Sequence, residues 1–406
     1  MVLAIMISEI RRRSAKLNKA KRYQDLPKSE KSFVQTYTVL KGIKKFGKKA
    51  LDASLKEMQQ LHERVAFEPI SIKNMTPQER KRAMESLIFL VEKRNIENPD
   101  EKEIKARQCA NGSTQRAYMS REEASSPAST IESVFITSAI DAKERREVAT
   151  LDVPNAFIQT SLNYKTTDER IIMKVRGVIV DLLLMIDAET YGKHIVYENG
   201  KKVIYLVVLK ALYGMLHSAL LFYNMFRSNL EKEGFVFNPY DPCVANKDIK
   251  GKQLTVLFHV DDVKVSSVRK QSVDDFIQWI DYKYGGSGKP VSVTQGKKHD
   301  HLRMLLDFTE DGVVAVDMVY YVENMLEDFP IKFKHTETAV TPSNENLFKI
   351  NKSKPLDKTR AEQFHTTVAK GLFLCKRARP NIQPTNAALC TRTKNPNEGD
   401  WNKLIR

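Results

Sequence analysis

The chain has 406 residues, 42% of them hydrophobic and 29% charged, with a formal net charge of +16. That length suffices for a buried core divided into two or three subdomains. Cys109, Cys243, Cys375 and Cys390 show neither a C-x-x-C pair nor zinc spacing. A disulfide scaffold is therefore excluded, and reduced thiols of an intracellular protein are expected. The apolar start, Met1 to Ile7, is too short to span a bilayer and lacks the charge pattern of a signal peptide. The longest apolar stretch, Val203 to Tyr223, is interrupted by Lys210, Gly214 and His217, so a soluble chain without a membrane partner is expected.

In chain order, residues 1–45 are basic and weakly patterned. Over residues 1–50, 14 Lys or Arg stand against Glu9, Asp25 and Glu30. Such an arm suits contact with polyphosphate or an anionic surface, or serves as a solubilising leader. Leu51, Leu55, Met58 and Leu61 repeat at helical spacing. Thr76-Pro77-Gln78-Glu79 is a capping box with Pro at the first helical position, which predicts a second helix running to about Lys93. Asn98-Pro99-Asp100 and Ala124 to Thr130 read as loops. From Ile131 the chain is more apolar, and a strand ends at Asp152.

Val203 to Leu209 predicts a strand leading through Tyr213-Gly214 into a helix with Leu216, Leu220, Tyr223 and Leu230 on one face and Gly234 beyond its end. Leu254, Val256 and Phe258 alternate before His259-Val260-Asp261-Asp262, and Val263 and Val265 alternate after it. This is the pattern of a β-hairpin with two carboxylates at its turn. A helix from Ser272 to about Tyr284, a flexible loop at Gly285-Gly286-Ser287-Gly288, a strand at Val313–Asp317 and a helix from Tyr320 to Asp328 come next. Glu362–Leu374 and Thr385–Arg392 also read as helices, and Pro384 fits only if the second begins there. Strands alternating with helices, ending in helices, predict an α+β fold.

The acids carry the chemistry. Asp274-Asp275 is a structural pair, since Ser272 can cap its helix and acids suit that end. Asp261-Asp262 has no helix end to explain it. Like charges so close repel unless a cation lies between them. Asp152, at another strand end, offers a third carboxylate. Three acids on adjacent strand ends suit a two-metal site for phosphoryl transfer.

Thr150-Leu-Asp-Val-Pro-Asn-Ala-Phe157, Leu209-Lys-Ala-Leu-Tyr-Gly214 and His259-Val-Asp-Asp262, in that order, closely resemble the reverse transcriptase of copia-type LTR retrotransposons. Lys105-Ala-Arg107, His299-Asp300-His301-Leu302 and Phe373 to Ile382 extend the likeness across roughly residues 40–406. The resemblance implies a right-hand polymerase with fingers, palm and thumb and a small antiparallel palm sheet packed on helices. Its divisions would be a basic arm (1–45), a fingers-like region (46–130), a palm (131–310) and a thumb-like helical region (311–406). It implies template-directed DNA synthesis with two Mg²⁺ ions, Mn²⁺ being the alternative, on an RNA or DNA template with primer and deoxynucleoside triphosphates.

Residue by residue, the resemblance makes Asp152, Asp261 and Asp262 the catalytic carboxylates. Asp152, Asp261 and the Val153 carbonyl would be metal ligands. Phe157 would lie under the sugar and select deoxy substrates. Arg107 and Lys93 would grip the triphosphate, and Tyr213-Gly214 would approach the template–nucleotide pair. His301, Leu302 and Arg303 fall in the primer-gripping hairpin, where Arg303 replaces the family's Gly. His217 stands near the family's Gln. Metal affinity without substrate should be weak, because phosphate oxygens complete such shells.

Only Thr393–Arg406 follow Arg392, so no integrase, protease or ribonuclease H activity is expected here; ribonuclease H and integrase would be on separate or missing chains. The life cycle implied is intracellular, in cytoplasmic particles and the nucleus. Two other readings stay open: a decayed copy that binds nucleic acid without polymerising, and a metal-dependent phosphodiesterase using the same acids.

Overall fold

The computed structural model describes residues 36–94, 102–164, 169–286, 290–331 and 339–406. Most of the basic arm, the predicted loop at 98–100 and part of the 285–288 loop lie outside these residues.

The first half opens with β1 (Thr36–Thr38), α1 (Val39–Phe46) and α2 (Lys48–Glu63). Met58 and Leu61 of α2 are buried, as the helical spacing requires, and Leu51 and Leu55 pack at the margin of the same core. After β2 (Phe67–Ile70) comes α3 (Pro77–Arg82), with both hydrogen bonds of the Thr76/Glu79 capping box formed. This helix ends at Arg82, far short of Lys93. The next run is β3 (Met84–Arg94), which pairs with β1, with β4 (Lys102–Ala110) and with β6 (Ile172–Arg176). Met84, Ser86, Ile88 and Leu90 are buried at every second position, so a period of two prevails over the local helix start.

Next come α4 (Arg121–Ala124), α5 (Ile131–Lys143) and β5 (Glu147–Asp152), then β6, α6 (Val178–Ile186), α7 (Ala188–Gly192), β7 (Val196–Glu198) and β8 (Lys201–Val208). Strands β1, β3, β6, β8 and β2 are neighbours in one sheet, with β4 on β3 and β7 on β8. Residues 172–208 thus join the N-terminal sheet, and the expected boundary at residue 131 does not separate the sheets. The parallel β3–β6 pair is made by segments from either side of it.

The second sheet runs β13 (Ser292–Gln295), β5, β12 (Asp262–Ser267), β11 (Lys252–His259), β10 (Val244–Ile249), β9 (Val236–Phe237), all antiparallel. Its apolar face, including Leu254, Val256, Phe258, Val263 and Val265, packs on α8 (Ser218–Lys232) and α9 (Lys270–Tyr284). Helix α8 starts after Leu216 and buries Phe222, Tyr223, Phe226 and Leu230, while Leu220 is at the margin. Gly234 (φ +83°) lies just beyond it as expected. Helix α9 begins at Lys270 with Arg269 as its N-cap, so Ser272 lies buried inside the helix instead of capping it. Asp274 and Asp275 bond Lys270 and Gln271, the structural role expected of that pair.

A third sheet holds β14 (Lys298–His301), β15 (Met304–Asp307) and β16 (Ala315–Asp317). The chain closes with α10 (Val319–Glu327), α11 (Lys358–Cys375), α12 (Gln383–Cys390) and α13 (Glu398–Ile405); Pro384 sits in the first turn of α12. All four cysteines are free. Among the described residues no helix is long and apolar enough to cross a membrane.

Candidate active site

Strand β5 buries Val148, Ala149, Thr150 and Leu151 and emerges at Asp152. Strand β12 lies between β5 and β11, and Asp262 pairs in register with Asp152 on one side and His259 on the other. Paired residues of an antiparallel ladder project to the same face, so these two acids form one rung. Asp261 occupies the turn immediately before, and its carbonyl accepts a hydrogen bond from the Val153 N–H at 3.1 Å. Val153 itself is buried. Burial raises the proton affinity of Asp261, with the Asp152 charge adding and Arg107 opposing. Asp262 is pushed up to about 7 by burial, then by Asp261, Asp152 and Asp300. Asp300, on β14, is an acid to which the motifs assign no role.

These carboxylates repel one another, which a hard cation would relieve, and oxygen donors are the ones Mg²⁺ prefers. Among the described residues, however, no three His, Cys, Asp or Glu side chains form a ready-made metal site. The donor chemistry fits a divalent ion that takes further oxygens from outside the chain.

The other predicted residues converge from three elements. Phe157, in the 3-10 turn Ala156–Gln159, is buried, and its ring centroid is 4.7 Å from that of Tyr213. The Arg107 guanidinium of β4 lies 4.4 Å from the Tyr213 ring centre. Burial raises the proton affinity of the Tyr213 hydroxyl; Arg107 opposes the change, and Asp261 and Asp152 reinforce it. The stack Arg107–Tyr213–Phe157 therefore lies within electrostatic reach of the acids. Lys93 falls on β3 with its side chain outside the described residues.

Gly214 has φ +90°, and a Cβ there would come 2.1 Å from the Ala110 carbonyl oxygen. The Ala110 N–H donates to Tyr213 O at 2.7 Å, and Gly112 N–H to Gly214 O at 3.2 Å. The close approach that demands glycine is thus to the end of β4. Gln115 completes this junction and was not foreseen: fully buried, it accepts from Leu216 N–H at 2.8 Å and sits 3.5 Å from His217 Nδ1. A lone Gln in a short 3-10 segment carries no sequence signal for such a role.

His301 ends β14, paired with Met304, and Leu302 and Arg303 form the β14–β15 turn. His301 is 2% exposed, its Nε2 is buried without a hydrogen-bond partner, and burial holds it down to about 3. Its ring belongs to the interior, leaving Leu302 and the exposed Arg303 at the tip. Both tip residues have positive φ, 52° and 64°.

The family model for reverse transcriptase (RNA-dependent DNA polymerase) matches residues 74–337, and the chain belongs to that family. Among solved structures, the chain is similar to a foamy viral protease-reverse transcriptase in complex with double-stranded DNA. That match has 13% identity and a TM-score of 0.39, and covers 84% of this chain and 48% of the other, so this chain spans about half its length. No curated protein matches the chain.

Proposed function

We propose that this chain is the reverse transcriptase of a copia-type retroelement, synthesising DNA on a primed RNA or DNA template by two-metal nucleotidyl transfer. The observation that carries this reading is the acid rung: Asp152 opposite Asp262, with Asp261 at the adjoining turn, in a chain of the reverse transcriptase family. Asp152 and Asp261 would hold Mg²⁺, with Asp262 beside them. When bound, the metal ions supply a lowered barrier to hydroxyl attack and charge neutralisation at the phosphate.

The chain's own residues do the rest. Arg107, stacked on Tyr213, holds a guanidinium beside the acids where a triphosphate would need a counter-charge. Tyr213 and Phe157 form the apolar wall next to it, and Phe157 would exclude a 2′-hydroxyl. The overall basic charge supports salt-sensitive contact with nucleic-acid backbone. Localisation would follow the element's life cycle, in cytoplasmic particles and the nucleus.

A second reading is an inactive copy that retains nucleic-acid binding. It is favoured by Arg303, which stands in a left-handed turn at the expected primer hairpin. Primer extension on an annealed RNA template with Mg²⁺ and four deoxynucleotides separates the two. Extension by the wild type but not by Asp152→Asn/Asp261→Asn establishes the polymerase. Salt-sensitive duplex binding without extension establishes the inactive copy.

A further inference from the structure

Beneath the acid rung lies a second rung that the proposed chemistry does not use. Lys264 follows Asp262 by two residues, so it projects from the same face of β12, and it pairs in register with Thr150 of β5. Its side chain is only 1% exposed and forms an ion pair with Asp141, which is equally buried on the inner stripe of α5. Ser266, one step further along the same face, donates to the second Asp141 oxygen at 2.5 Å.

From the other side, His299 Nδ1 lies 3.3 Å from Thr150 Oγ1, while His299 Nε2 donates to Gly296 O at 2.9 Å. The Lys264 charge also helps hold both His299 and His301 below their ordinary range. One buried ammonium thus adjoins α5, β5 and β14, a single rung from the carboxylates.

A buried ion pair is weak evidence for stability, because desolvation offsets the Coulombic attraction; its better-attested use is to specify register. Slipping β12 by one residue would turn Lys264 to the apolar face and separate Asp262 from Asp152. We propose that the Lys264–Asp141 pair, with Ser266, is a positioning device that fixes the carboxylate rung relative to α5 and the β14–β15 hairpin. The inference rests on the proposed reading of the acids as a metal site. Lys264 and Asp141 are positioning residues and touch no reacting atom.

The test removes both charges together, since removing one would strand the other in the core. Lys264→Met/Asp141→Leu should melt at or above the wild-type temperature. Its affinity for Mn²⁺, followed by the electron paramagnetic resonance of the free ion, should fall at least about tenfold. In primer extension, kcat should fall with the deoxynucleotide KM unchanged. Should that variant fail to fold, Lys264→Gln/Asp141→Asn repeats the test with a neutral polar pair.

Wild-type Mn²⁺ affinity in a folded pair variant overturns the inference, whether or not the chain polymerises. If Mn²⁺ binding falls in the pair variant but the wild type extends no primer, the inference stands and the polymerase reading fails. Since affinity without substrate is expected to be weak, the titration runs to high Mn²⁺, and no binding by the wild type even there removes the site and the inference with it.

Discussion

Two hairpins share strand β11 and solve their turns in opposite ways. Away from the site, β10 and β11 are joined by Lys250-Gly251, with φ values of 54° and 73°. This is the left-handed pair of a type I′ turn, with glycine where it costs least. At the site, β11 and β12 are joined by Val260-Asp261, and Val260 has φ +62°. A β-branched residue there is strained by about 1–3 kcal/mol, and such strain persists only where the surroundings enforce it.

The same contrast recurs elsewhere. The β7–β8 turn uses Asn199-Gly200, whereas the β14–β15 turn places Leu302 and Arg303 both at positive φ. The relaxed turns lie away from the acids, and the strained turns carry the carboxylates and the expected primer hairpin. Among these four hairpins, the two whose left-handed positions lack glycine are the one at the acids and the expected primer hairpin, although left-handed Val65 and Arg145 also follow α2 and α5.

The largest expected effect separates the two β11 turns by chemistry. If Asp261 holds metal as proposed, Asp261→Asn should lower primer extension by about a thousandfold or more, the several kcal/mol that a lost ligand would remove. Lys250→Asn, in the relaxed turn, should leave the rate unchanged. Comparable activity in both variants, measured by single-nucleotide incorporation, would break the comparison and the proposed metal site together.

A pH effect of intermediate size comes from His301 in the other strained hairpin. Folded, it stays neutral down to about 3, whereas an unburied imidazole titrates near 6.5. Its contribution to folding is therefore complete above pH 6.5 and lost as pH falls toward 3. At pH 5 the loss is about 2 kcal/mol. His301→Phe keeps the ring and removes the titration. Urea melts at pH 8 and pH 5 should show the wild type losing that much more than the variant. Equal losses would mean that the imidazole is not buried as described.

These turns also mark how far the sequence is legible. The carboxylate hairpin could be read because Leu254, Val256, Phe258, Val263 and Val265 alternate without interruption, and all are buried on one face. The stretch after Thr76 could be misread because its capping box is real but governs only the six residues Pro77–Arg82. Beyond Arg82 the structure is decided by strand partners: β4, next in the chain, and β1 and β6, distant in sequence. Lys264, flanked by two core valines, has the pattern of a solvent-facing strand residue; only the placement of α5 over that face buries it. Motif order singles out Asp152, Asp261, Arg107, Tyr213 and Phe157, and the structure brings these residues near one another. It does not single out Gln115 and the Asp141 partner, because their roles depend on long-range packing.

The turns can be exchanged to measure the strain itself. Val260→Gly should relieve about 1–2 kcal/mol of backbone strain, the penalty of an L side chain in the left-handed region, from which the entropy glycine restores to the unfolded chain and the packing Val260 gives the core are subtracted. Gly251→Val should cost a similar amount, and through the backbone alone, since a Cβ at Gly251 meets nothing within 4 Å. If Val260→Gly also slows nucleotide incorporation, the strain holds Asp261 in place; if the rate is unchanged, the strain is incidental to the chemistry.

Arg303→Gly is the smallest of these effects, about 1 kcal/mol of added stability, because Arg303 is exposed and little burial is lost with it. Its second readout is the more informative. A primer hairpin impaired by Arg303 should gain processivity in the variant, with longer products per binding event on a primed template. A stability gain without longer products would leave the turn strained for reasons unrelated to the primer. The parallel with Val260 would then reduce to shared backbone geometry. Longer products without a stability gain would instead make the Arg303 side chain, not its backbone, the obstacle.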